Sequence, residues 1–197
     1  MLFLLKILTS DTPPYFFVTF HFKAFLMIKQ TTTFKIATIN QLDRIWELIQ
    51  DGIALRKAQG SMQWQNGYPN RNVIKQDIEE QAGFVLLQQD TVIGYMCLKV
   101  NNEPQYENIK GKWLSKGDFL VIHRVVISKE KTGSGFAKEL MFYAEDYARS
   151  QQISSIKADT NFDNVGMLRL FDIFEYTYCG ELVMNGQPRK GFEKIIL

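Results

Sequence analysis

The chain has 197 residues, 46% hydrophobic and 13% aromatic, with 23 basic residues against 21 acidic and two cysteines. That length suits one domain with a substantial core, and the wealth of aromatic and branched residues excludes disorder for most of the chain. The near balance of charge gives no broad basic field, so no nucleic-acid partner is expected, and Cys97 and Cys179 suit a reducing compartment, the cytoplasm, rather than a disulfide scaffold.

Residues 1–26 read differently from the rest. They hold six of the 15 phenylalanines but neither a helical nor an alternating period. Lys6, Pro13 and Pro14 interrupt the apolar runs and no small-residue cleavage site follows, so this is not a secretory signal. No run of about 18 apolar residues occurs, so no stable membrane span is expected. Met27-Ile28-Lys29-Gln30 reads as a fresh N-terminus. Residues 1–26 are therefore taken as a non-core leader or a mis-assigned start, with a membrane-associating leader as the alternative, and the domain is placed at 34–197.

Along the core, Phe34–Thr38 reads as a strand. Asn40 then caps a helix whose apolar stripe is Leu42, Ile45, Trp46, Ile49 and Ile53. An aromatic-bearing loop over 60–69 precedes a helix over 72–82. Strands are predicted at 84–87 and 91–100, a polar loop over 101–117, and a strand at 118–127 that is nearly all apolar, as one buried on both faces would be. A glycine-rich turn leads to a helix over 134–149, then a strand at 153–158, a helix at 164–174, and strands at 178–184 and 192–197 bracketing Asn185-Gly186 and Pro188. Hairpins mixed with crossover helices imply a single α/β domain around a mixed sheet.

Chemistry concentrates where Val125-Val126-Ile127 runs into Thr132-Gly133-Ser134-Gly135-Phe136-Ala137 and a helix begins. A strand end, a glycine turn and a helix start make an anion site, because free amides and the positive helix end face the same point. A Walker A loop needs glycine before its lysine, and Lys138 follows Ala137. A dinucleotide fingerprint needs glycine or alanine where Lys138 stands. The turn instead resembles the Arg/Gln-x-x-Gly-x-Gly/Ala signature of the GNAT N-acetyltransferase superfamily, with Thr132 in place of the first residue. Asp159 to Asn164, followed by Met167 and Phe171, is similar to that family's next strand end and Asn-capped helix, and the element order from Phe34 onward matches.

This resemblance implies a sheet splayed between the strand ending near Ile127 and the strand 153–158, with acetyl-CoA as co-substrate in the gap. It further implies contacts from Val125, Val126 and Ile127, a pyrophosphate held by amides from Gly133 to Ala137 beside Thr132 and Ser134, and cofactor contacts from Asn164 and Phe171. It implies no metal. The acceptor would be a primary amine of a small molecule or peptide, attacking directly in a ternary complex. A coenzyme A-binding module without turnover is the alternative, and a homodimer is left open.

Proton transfer needs its own residues. Val121 stands where many family members carry a glutamate-like base. His123 is the candidate base: residues 121, 123, 125 and 127 are expected to share a face, and about 3.3 Å per residue places it roughly 13 Å behind Ile127, within reach of a water chain. Seven residues after Asn164, where the family's acid is a tyrosine, stands Phe171, which cannot donate; the proton must come from water or from another group, Tyr176 or Tyr143. Trp64, Tyr68 and Trp113 offer flat apolar faces with polar edges for an acceptor. Each of these aromatics reads equally well as a seal between loop and core.

Overall fold

A computed structural model of the chain describes residues 32–196, so the expectations for residues 1–26 and for a start at Met27 lie outside the described residues. The elements are β1 Thr32–Ile36, α1 Leu42–Ala58, α2 Arg71–Glu79, β2 Gly83–Gln88, β3 Thr91–Val100, β4 Lys110–Gly111, β5 Leu120–Ile127, α3 Phe136–Ser150, β6 Ser155–Thr160, α4 Val165–Ile173, β7 Thr177–Met184 and β8 Gln187–Ile195. Among the described residues no helix is long and apolar enough to cross a membrane.

The strands form one mixed sheet in the order β1-β2-β3-β5-β6-β8-β7-β4. Among the described residues its one parallel pair is β5 and β6, joined by the crossover helix α3. Alternation along each strand divides the core between the two faces. Leu86, Met96, Ile122 and Ile156 pack with Leu140, Met141 and Ala144 of α3 and Phe171 of α4. Val85, Tyr95, Cys97 and Val126 pack on the opposite face with Ile45, Leu48 and Ile49 of α1 and Ile74 of α2. This is the expected α/β domain, with the order anticipated from sequence plus the two-residue strand β4.

Four local expectations are corrected. Asn40 does not cap α1: it sits inside a 3-10 turn, Ile39–Gln41, where the Thr38 amide donates to Gln41 Oε1 at 2.9 Å. Pro188 lies within β8 rather than before it. It pairs with Val183 of β7, whereas β6 meets β8 only from Lys190 onward, so the strand edge at Pro188 is not asked for a hydrogen bond on its outer side. The 101–117 loop contains a 3-10 turn, Pro104–Asn108, and β4, whose Gly111 lies against Gly180 of β7; a Cβ on Gly111 would stand 2.0 Å from the Cys179 carbonyl oxygen.

The fourth correction bears on the site. The pairing of β3 with β5 slips between Tyr95 and Cys97, so Met96 opposes both Arg124 and Val125. Arg124 takes a left-handed φ of 53° at this bulge. One extra residue reverses the alternation beyond it. Ile122, Val125 and Ile127 therefore share the α3 face, while Val126 joins the α1/α2 face along with His123, the register partner of Cys97. The expected common face for residues 121, 123, 125 and 127 does not exist.

Candidate active site

Strands β5 and β6 pair only through Leu120–Ile122 and Ile156–Ala158. Beyond those residues they part, and the facing edges of His123–Ile127 and of Asp159–Thr160 have no strand between them. A cavity of about 660 Å³ opens in the gap. Backbone donors and acceptors bared along such edges must find partners in water or in a ligand. Among the described residues Thr160 Oγ1, on the cavity lining, and Asn161 Oδ1, next in the chain, are buried with no partner.

The mouth of the gap is the start of α3. Gly135, in the left-handed region at φ 88°, precedes the first helical residue without any side-chain cap. The Thr132 and Ser134 amides are taken up by the Lys129 and Lys131 carbonyls. The first helical amides, from Phe136 onward, have no intrahelical acceptor and point their partial positive charge outward. Thr132, Gly133, Gly135, Phe136 and Ala137 line the cavity, joined by Lys131 and Lys138. Ser134 does not line it, because the turn directs it outward as an exposed residue. A backbone nest with two lysines fits a diphosphate, and the two parted strand edges fit an extended, amide-bearing chain.

The α1/α2 face supplies the other wall. Trp64 adopts a left-handed φ of 65°, unusual for a bulky residue. Its loop is held by Gln65 Nε2, which donates to the Ile53 carbonyl at 3.1 Å and to that of Gln63 at 3.0 Å. Gly52 of α1 lies beneath the indole, and a Cβ there would stand 2.9 Å from Trp64 Cζ3. Arg56 donates to Asp163 Oδ1 at 2.7 Å and Asn164 Nδ2 donates to Gln63 Oε1 at 2.9 Å, so the Trp64 loop is tied across the gap to the β6–α4 turn. Tyr68 also lines the cavity, its hydroxyl bonded by Arg124 and its pKa raised by burial.

A cluster of ionisable side chains occupies the same cavity. Arg124 clasps the buried carboxylate of Asp77 on α2 through Nε at 2.8 Å and Nη2 at 2.6 Å. Asp159 accepts from the Tyr106 hydroxyl at 2.9 Å and faces Arg189 at 3.7 Å, and burial raises its pKa. Glu103 lies 3.4 Å from His123 Nε2; burial first, then Asp159, raises its carboxyl above the usual range. His123 lines the cavity, and burial, reinforced by Arg124 and Lys99, pushes its imidazole down to about 3, so the ring is neutral near pH 7 and a weak base.

Most of the residues singled out in the sequence converge on this cavity: Trp64, Tyr68, His123, Val125, Val126, Ile127, the turn apart from Ser134, Asn164 and Phe171. Trp113 does not. The 104–111 segment folds back onto β7, so Trp113 packs with Tyr106, Val121 and Leu182, its Nε1 donating to the Tyr106 carbonyl at 2.8 Å. Tyr176 is excluded too, its hydroxyl sealed in the α3/α4 core with no partner. Sequence reasoning missed Gly52, Glu103, Lys131, Lys138, Asp159 and Arg189. Only the two lysines, flanking the glycine turn, carried a readable signal.

The family model for the Acetyltransferase (GNAT) family matches residues 49–176. In three dimensions the chain is similar to a GNAT-family acetyltransferase from Streptococcus agalactiae 2603, 30% identical over 84% of this chain and 96% of that one, with a TM-score of 0.77. It is also similar to a putative acetyltransferase from Staphylococcus aureus Mu50, at 24% identity over 84% and 99% of the two chains and a TM-score of 0.65. A further structure, the NatC complex bound to Gag peptide and CoA, shares the fold at 13% identity over 84% and 99%, with a TM-score of 0.62. Among curated proteins none matches this chain. A domain-length match to the family model, a 30%-identical relative covered almost end to end, and a sheet that splits beside a glycine-started helix lead to one conclusion: the chain belongs to the GNAT family of acetyltransferases.

Proposed function

We propose that this acetyltransferase moves an acetyl group from acetyl-CoA to a primary amine of a small molecule or peptide, by direct attack within a ternary complex. The observation that carries the reading is the parting of β5 and β6 after Ile122, with uncommitted α3 amides at the mouth of the gap. The thioester supplies the acyl group. Amides from Gly133 to Ala137, less that of Ser134, together with Lys131 and Lys138, hold the diphosphate. The free edge of Val125–Ile127 aligns the pantetheine arm, and Asn164 and Phe171 close its α4 side. Trp64 and Tyr68 form the acceptor wall. Cys97 and Cys179, both free and buried, suit a cytoplasmic protein.

Thiol release from acetyl-CoA across a panel of primary amines tests the reading, with turnover on at least one amine expected. A second reading, a coenzyme A-binding module without turnover, is favoured by Phe171 and by the sealed hydroxyl of Tyr176, which leave neither the family's acid position nor its substitute able to protonate the departing thiolate. Binding of acetyl-CoA with no thiol release on any amine would select that reading.

A further inference from the structure

We propose that Glu103 takes the proton from the acceptor, and that this carboxylate, having no cation of its own, restricts the acceptor to amines that arrive as ammonium ions. The proposal rests on the acetyltransfer reading above and deepens it. Among the described residues, Glu103 and Asp159 are the only carboxylates lining the cavity. Asp159 is already engaged by Tyr106 and Arg189. The buried arginines are engaged too, Arg124 with Asp77 and Arg56 with Asp163. Glu103 stands apart. Among the described residues its only basic neighbour within salt-bridge distance is His123, at 3.4 Å. Burial keeps that imidazole neutral, so it supplies no charge.

The remaining charges around Glu103 are Arg124 and Lys99, acting from further away, and Asp159, which opposes its ionisation. Lys99 is held by Glu80 at 2.8 Å. A carboxylate 13% exposed without a counter-ion is poorly solvated, and a cation entering the cavity offsets that cost. An ammonium does so, and the indole of Trp64 in the same cavity favours it further. A neutral alcohol or a carboxylate gains nothing there.

The proton balance follows. One N–H proton of the ammonium passes to a Glu103 oxygen, and the freed lone pair forms the C–N bond at the thioester carbonyl as the C–S bond breaks. The nitrogen's second surplus proton reaches the thiolate sulfur through water. Glu103 then returns its proton to solvent, so each turnover releases one proton. Its raised pKa makes Glu103 a stronger base than an ordinary carboxylate. His123 is a positioning residue here, its ring set against the carboxylate from β5.

The test compares the wild-type chain with Glu103→Gln and Glu103→Asp. Without acetyl-CoA, benzylamine at neutral pH is expected to raise the melting temperature of the wild type more than benzyl alcohol does, and Glu103→Gln to erase the difference. In turnover, Glu103→Gln is expected to lower kcat about 10²- to 10⁴-fold on benzylamine. That deficit is smaller on the less basic glycinamide and smallest on trifluoroethylamine, which is largely a free amine at neutral pH, and Glu103→Asp recovers part of it. A structural role for Glu103 would give a deficit independent of acceptor basicity. Equal responses of wild type and Glu103→Gln to benzylamine, or a deficit constant across the three amines, overturn the proposal. Acetyl-CoA alone is expected to stabilise both proteins equally; if it stabilises neither, the acetyltransfer reading fails instead.

Discussion

Arg124 and Asp77 form a two-pronged ion pair, Nε to Oδ2 at 2.8 Å and Nη2 to Oδ1 at 2.6 Å, between the bulge of β5 and helix α2. Asp77 is 1% exposed and also accepts from the Tyr95 hydroxyl at 2.8 Å. The same guanidinium bonds the Tyr68 hydroxyl, so one pair fixes the bulge, α2 and an acceptor-wall aromatic together. The bulge matters because it turns Ile127 onto the α3 face and leaves β5 open toward the gap.

Removing one member of this pair strands the other. Asp77→Ala leaves a buried guanidinium uncompensated and is expected to cost about 3–5 kcal/mol of folding free energy. The double replacement Asp77→Leu with Arg124→Met is expected to recover most of it, since a matched apolar pair carries no unpaired charge. Urea denaturation of the three proteins is the check; a loss below about 1 kcal/mol in Asp77→Ala would contradict the reading.

Gly52 leaves room for the Trp64 indole, in the wall proposed to receive the acceptor, by its lack of a side chain. In Gly52→Ala the new methyl meets Trp64 Cζ3 at 2.9 Å and Val126 Cγ2 at 3.4 Å, so the indole must move. Acceptor kcat/KM is expected to fall about 10- to 100-fold while acetyl-CoA affinity changes little, because the indole is on the opposite wall from the α3 turn. Steady-state kinetics with each substrate varied in turn distinguishes the two effects. A matched loss of acetyl-CoA affinity would show that Trp64 does not belong to the acceptor side.

Lys131 and Lys138 are the cations that Thr132 does not provide. Replacing both with glutamine is expected to weaken acetyl-CoA binding by about 1–3 kcal/mol, with a shallower dependence on salt than the wild type shows. Calorimetric titration at two ionic strengths measures both quantities.

Burial of His123 gives stability a pH dependence of known sign. The imidazole titrates near 3 in the folded chain against an ordinary 6.5, so between those values the unfolded chain binds the extra proton. Its contribution is complete above the ordinary value and is lost as pH falls toward 3, by at most about 1.4 kcal/mol per pH unit. Asp159 and Glu103 work in the opposite sense: their raised carboxyls are protonated longer in the folded chain, so their terms fall as pH rises above the ordinary carboxylate range. His123→Gln is therefore expected to flatten the loss of stability between about pH 6.5 and pH 5. Urea midpoints across that interval check it, and an unchanged slope would mean that the imidazole stays solvated.

Much of this architecture was legible because it rests on local chemistry. The periodic stripe of α1, the near-continuous apolar run of β5 and the glycine turn before α3 each announced an element and its neighbour. The Asn164 cap was equally readable, and its side chain accepts from the Met167 amide at 3.2 Å. What stayed hidden depends on contacts across the fold. The Arg124 bulge is a register slip between β3 and β5, and no run of side chains along β5 encodes it. Glu103 sits in a loop that no periodicity places beside His123. Trp113 looked like Trp64 by composition, but the fold-back of the 104–111 segment packs it on Tyr106, Val121 and Leu182, away from the cavity.

The central claim, that the gap between β5 and β6 receives the thioester arm while the mouth of α3 grips the diphosphate, is tested most directly by amide chemical shifts during titration with coenzyme A. The account predicts that the Gly133, Gly135, Phe136 and Ala137 amides move together with those of Val126 and Ile127, and that the amides of β4, at the far edge of the sheet, stay fixed. Saturation with no movement at the α3 turn, or movement confined to another surface, would contradict it.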